Sequence, residues 1–133
     1  MTAETLFKVL KGSYHDGALL DAKLIQDTLY LYCFRNPPDF DNKEDPNYRY
    51  VVIRFDGVTD LYVYDWRESE TYVPYTDSSF RKPHNNYWAI SGIDSLSCED
   101  GVVEFDESLR FSCDSVELLE HSSDEIDFSK YFI

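Results

Sequence analysis

The 133-residue sequence is poor in basic residues, in histidine, cysteine, glycine and proline, and in long apolar runs. Twelve Lys and Arg stand against 26 Asp and Glu, a formal net charge of −14 with a pI near 4.3. Such a field repels phosphate backbones and anionic lipid surfaces, which argues against direct nucleic-acid or membrane binding. No stretch approaches the ~20 apolar residues of a membrane span. The opening MTAETLFKVLKG is too short and too polar for a signal peptide, and Asn-x-Ser/Thr is missing throughout. Cys33, Cys98 and Cys113 cannot all pair within one chain and fit no Cys-x-x-Cys pattern. Each lies in an alternating apolar stretch, where cysteine behaves as a small hydrophobe. These features predict a reducing, cytoplasmic setting.

Chemistry is equally scarce. His15, His84 and His121 stand far apart without ligand spacing, which argues against zinc. Gly-x-Ser-x-Gly, glycine-rich phosphate loops and His-Glu-x-x-His are all missing. DFDNKED (39–45) has Asp39 and Asp41 at the first and third places of a calcium loop. Lys43 then fills the fifth, no glycine follows, and Tyr50 replaces the closing glutamate. We expect neither metal nor cofactor. His15–Asp16, in GSYHDGALL, is the one pair that suggests a dyad. Adjacent residues of an extended chain point to opposite faces, and Asp16-Gly17 has plain turn chemistry, so a structural corner is the better reading.

What is abundant is aromatic. Apolar residues make up 43% of the chain and aromatics 17%, including 11 Tyr and 9 Phe, a composition that suits pleated sheet. One domain, 1–133, is the expectation for this length, with no linker or repeat to divide it. Leu6, Val9 and Leu10 predict a short N-terminal helix over 2–11, stopped by Gly12. Period-two alternation then predicts about six to seven antiparallel strands, in one twisted sheet or a two-layer β fold. Turns are expected at Gln26-Asp27, Asp56-Gly57, Asp100-Gly101 and Glu107-Ser108, with exposed loops over 35–49 and 67–86. YWAISGIDSLSCED and LRFSCDSVELLE each read as one strand. Ser122 and Glu125 match a capping box, which predicts a turn or two of helix in DEIDFSKYF. The class is mainly β, α+β in detail.

The strands carry two different faces. Leu29, Leu31 and Cys33 oppose Tyr30, Tyr32 and Phe34; Val51, Ile53 and Phe55 oppose Tyr50, Val52 and Arg54; Leu61 and Val63 oppose Tyr62, Tyr64 and Trp66. The aliphatic side is the expected core. The ring-bearing side is either covered by helix, loops or a second layer, or it is an exposed patch. In the second case Tyr62, Tyr64, Trp66, Tyr30 and Tyr32, with Asp60, Asp65 and Glu68 around them, form a candidate site for a basic protein partner.

The aromatic-His-Asp of YHDG, the strand pair ending in LYLYCF, VVIRFDGVTDLYV, and DGVVEFD ahead of LRFSCDSVEL form a layout over most of the chain. It resembles small acidic bacterial immunity-type proteins of polymorphic toxin systems. The resemblance implies a non-catalytic cytoplasmic antidote that binds and blocks a cognate toxin domain, and it transfers no residue role. Two other classes stay open: an acidic nucleic-acid mimic that blocks a DNA- or RNA-binding protein, and a small ligand-binding or enzymatic β domain using His15.

Overall fold

A computed structural model of the chain describes residues 17–34, 49–65, 71–76, 88–90, 96–99, 102–105 and 109–132. These form ten strands: β1 (Gly17–Ile25), β2 (Thr28–Phe34), β3 (Tyr50–Asp56), β4 (Thr59–Asp65), β5 (Thr71–Pro74), β6 (Trp88–Ile90), β7 (Leu96–Glu99), β8 (Val102–Phe105), β9 (Leu109–Ser112) and β10 (Ser115–Ser122). All pairings are antiparallel. The first sheet runs β10-β3-β2-β1-β6 and the second β5-β4-β9-β8-β7.

The alternation read from the sequence sets the core. Leu29, Leu31, Cys33, Val51, Ile53 and Phe55 of the first sheet are buried in one cluster with Val63, Val103, Leu109 and Phe111 of the second. Phe55 and Phe111 meet edge to face across the layers, ring centroids 4.9 Å apart. Burying this apolar surface from both layers is the main favourable term in folding.

Asp56-Gly57 does not close a hairpin between β3 and β4, as its composition suggests. It carries the chain from one sheet into the other, and Cys113–Asp114 carries β9 into β10 beside it. Ser115 to Ser122 pair with Asp56 to Tyr50 in the first sheet, and Ser112 to Leu109 pair with Thr59 to Val63 in the second. The result is one long two-stranded ribbon, bent where the Asp114 N–H donates to the Asp56 carbonyl at 2.9 Å. Gly57 takes the left-handed region there, with φ +66°, and the next N–H, of Val58, donates to the Asp27 carbonyl at 2.8 Å. Val58 itself is buried, so the bend is tied to the core and to the β1–β2 turn.

The strand expected over LRFSCDSVELLE is therefore two strands. Its inward residues change parity, from Leu109 and Phe111 to Val116 and Leu118, as a crossing between layers requires. YWAISGIDSLSCED is likewise two strands in different sheets, since β6 pairs with β1 and β7 with β8. The stretch expected as a loop over 67–86 contains β5, where Tyr72 and Val73 alternate and Pro74 is tolerated on an edge strand. The Gln26-Asp27 turn is found as expected, with Gln26 at φ 57° in a two-residue loop.

At the C-terminus the helical segment is a short 3-10 helix, Phe128–Phe132. Its cap is Asp127, whose Oδ1 accepts from the Ser129 N–H at 3.2 Å and the Ser129 hydroxyl at 2.5 Å. Ser122 does not close a capping box with Glu125, because its hydroxyl accepts from the Asp124 N–H at 3.0 Å in a local turn. The N-terminal helix expected over 2–11, His15–Asp16, and the Asp100-Gly101 and Glu107-Ser108 turns lie outside the described residues.

Candidate binding faces

The rings expected on one continuous side are divided between two sheets. Period-two alternation assigns faces within a strand but not the sheet a strand joins, so Tyr30 and Tyr32 on β2 face away from Tyr62 and Tyr64 on β4.

On the second sheet, a bulge between Thr59 and Tyr62 adds one residue to β4 opposite β9. Asp60 takes φ 54° there, a conformation that a short polar side chain tolerates. Beyond the bulge Val63 points into the core, so Tyr62 and Tyr64 point outward and are half-buried. Pairing builds a cluster around them. Tyr64 lies opposite Tyr72 with ring centroids 5.3 Å apart, and Tyr62 lies opposite both Pro74 and Arg110. The Arg110 guanidinium sits 4.8 Å from the Tyr72 ring centre and 5.4 Å from that of Tyr62. The Tyr72 hydroxyl donates to Glu104 at 3.3 Å, and Glu104 is the cross-strand neighbour of Arg110. Arg110 itself is exposed, and Val102 beside it on the same side of the sheet is 39% exposed. An arginine laid over two rings keeps its donors outward with less rotamer freedom to lose on binding.

On the first sheet the rings are covered. Tyr30, Tyr32, Tyr50 and Val52 form a second cluster with Ile126, Phe128, Tyr131 and Phe132. Phe128 stacks on Tyr32 at 5.5 Å, and Phe132 meets Tyr30 edge-on at 5.1 Å. The Tyr32 hydroxyl accepts from the Ile126 N–H at 2.9 Å. Burial raises the phenol pKa of Tyr32, partly offset by that backbone hydrogen bond and reinforced by Tyr50, Glu125 and Glu120. A bulge between Leu118 and Glu120 on β10 turns Leu119 and Glu120 toward this cover. Glu120 accepts from the Tyr131 hydroxyl and from Lys130 Nζ, the latter at 2.5 Å. Those two hydrogen bonds hold the Glu120 carboxyl below its ordinary range, while burial and then the bond to Glu120 push the Tyr131 phenol up.

A depressed folded-state pKa means the clamp contributes fully above the unfolded carboxylate range and is lost as pH falls through the folded value. Urea midpoints measured from neutral to acid pH should therefore fall less steeply for Glu120→Gln than for the native chain.

Of the expected site residues, Tyr62 and Tyr64 come together on the second sheet, with Asp60 exposed in the bulge near the start of β4. Asp65 is the last residue of β4, and Trp66 and Glu68 lie outside the described residues. Arg110, Tyr72 and Glu104 join the cluster without a motif of their own in the sequence. The outward parity of Arg110 in LRFS was a readable signal, but its partners depend on which strands adjoin. Arg54 on the first sheet is held by Glu117 at 2.7 Å and Asp56 at 3.3 Å. His121 is exposed on β10, and Cys33 is a buried thiol whose burial pushes its pKa up to about 12, far from thiolate chemistry. Among the described residues no group of three His, Cys, Asp or Glu side chains could hold a metal, and no helix is long and apolar enough to cross a membrane. No family model, curated protein or solved structure matches the chain.

Proposed function

We propose that this chain is a non-catalytic, immunity-type binding module that docks a basic protein, such as a toxin domain, and blocks it. The observation that carries the reading is the Tyr62–Tyr64–Tyr72–Arg110 cluster on the outer side of the second sheet. Tyrosine and arginine are the residue types that dominate interface hot spots, because they offer large rigid contact area with polar ends. Around them, a net charge of −14 favours encounter with a cationic partner and discourages anionic ones. Cytoplasmic action agrees with the cysteine usage and with the resemblance to antidote proteins.

The test uses the tagged 133-residue chain as bait in lysate of its source cell, then titration of the purified partner so identified. Tyr62→Ala and Arg110→Ala should each weaken binding at least about 30-fold, the size of a ~2 kcal/mol hot-spot loss. The on-rate should fall steeply as salt is raised. Unchanged affinity in both variants, or a salt-insensitive on-rate, overturns the reading.

A further inference from the structure

We propose that residues 123–132 are a latch, clamped by Glu120 of β10, that opens as a unit from an intact sandwich and uncovers the tyrosines of the first sheet. The segment packs into a cluster of its own, separate from the core that joins the two sheets. Its Ile126 and Phe128 share a buried cluster with Val52, an outward and fully buried residue of an interior strand. Removing the segment leaves the described ladders of both sheets untouched, because 123–132 contributes no strand to either.

The attachment is also concentrated. One carboxylate accepts from two consecutive residues of the 3-10 helix, Lys130 and Tyr131, and one phenol, Tyr32, accepts from the Ile126 N–H. Ring contacts add to these, Phe128 on Tyr32 and Phe132 and Tyr131 on Tyr30, beside the apolar packing of Ile126 and Val52. The bulge at Leu119 is what brings Glu120 to this side, since regular alternation from Val116 and Leu118 would aim it inward. A β-strand irregularity thus serves the clamp. Local units with their own small cluster open more readily than the global core, and a charge-assisted clamp is the bond whose loss is felt most. While the latch is closed, Tyr30 and Tyr32 are half-buried and committed to it; when open, they and Val52 are bare. The latch and the second-sheet cluster lie on different sheets, and neither depends on the other.

Native-state hydrogen exchange on the full chain tests it, comparing the Ile126 amide with the Ile53 amide of β3. Ile126 should be protected yet exchange through a smaller opening than Ile53. Glu120→Gln should speed Ile126 about tenfold, the loss of a hydrogen bond to a charged group, and leave Ile53 unchanged. Tyr131→Phe, which deletes one donor and keeps the ring, should move Ile126 in the same direction by a smaller factor. Equal exchange of Ile126 and Ile53, or equal acceleration of both in Glu120→Gln, would make the segment part of the global unit and overturn the proposal. An unprotected Ile126 in the native chain would overturn it as well.

Discussion

Gly57→Ala should lower stability by about 2–4 kcal/mol, seen as a drop in the urea midpoint at unchanged slope. Two costs combine. At φ +66° a side chain pays roughly 1–2 kcal/mol for the left-handed conformation. A Cβ built there would lie 2.1 Å from Asp114 Oδ2, 2.6 Å from its Cγ and 3.0 Å from its Cβ. Swinging the Asp114 carboxylate away clears the first two contacts but not the third, because the Asp114 backbone is fixed by its N–H bond to the Asp56 carbonyl. The two costs separate experimentally. Asp114→Gly in the Gly57→Ala background should return roughly 1–2 kcal/mol, the steric share, and leave the backbone share in place. In the native background the same Asp114→Gly should cost about 1 kcal/mol or less. A Gly57→Ala variant within ~0.5 kcal/mol of the native chain would mean the ribbon does not bend there.

That bend marks the boundary between what was legible in the sequence and what was not. The inward set Leu29, Leu31, Cys33, Val51, Ile53, Phe55 and Val63 is buried as alternation predicts, because period two is a local property of the chain. Sheet membership is non-local. Nothing in VVIRFDGVTDLYV says that its halves lie in different layers, since a hairpin turn and a layer crossing both favour Asp-Gly. The readable trace was the parity change from Phe111 to Val116, which signals that the ribbon turns over between them. The same limit explains the site. Tyr62 and Tyr64 could be read as outward from β4 alone, but Arg110 and Glu104 reach them only through β9 and β8. Tyr30 and Tyr32 found their cover in residues about a hundred positions later, where FSKYF carries three rings in five residues but no strand pattern to reveal its seat.

Phe55→Ala should be the most damaging single truncation, at about 3–5 kcal/mol. The ring is fully buried, and its edge-to-face partner Phe111 belongs to the opposite sheet. Removing it deletes transfer free energy and leaves a cavity between layers that two ladders cannot easily collapse to fill. Against the roughly 5–15 kcal/mol that folds an ordinary domain, this is a large share. Phe55→Leu should cost far less, because it keeps most of the volume and loses chiefly the ring–ring geometry. A double-mutant cycle between Phe55→Leu and Phe111→Leu should then give a coupling of about 0.5–1.5 kcal/mol, the added worth of an aromatic pair. The shape of the transition carries as much information as its midpoint. If the two sheets share one core, Phe55→Ala must shift a single urea transition for probes on both sheets, with the slope preserved. A biphasic transition, with Arg110-side residues unfolding apart from those around Val52, would show that each sheet holds its own cluster. The ring pair would then be a contact between two units rather than the centre of one.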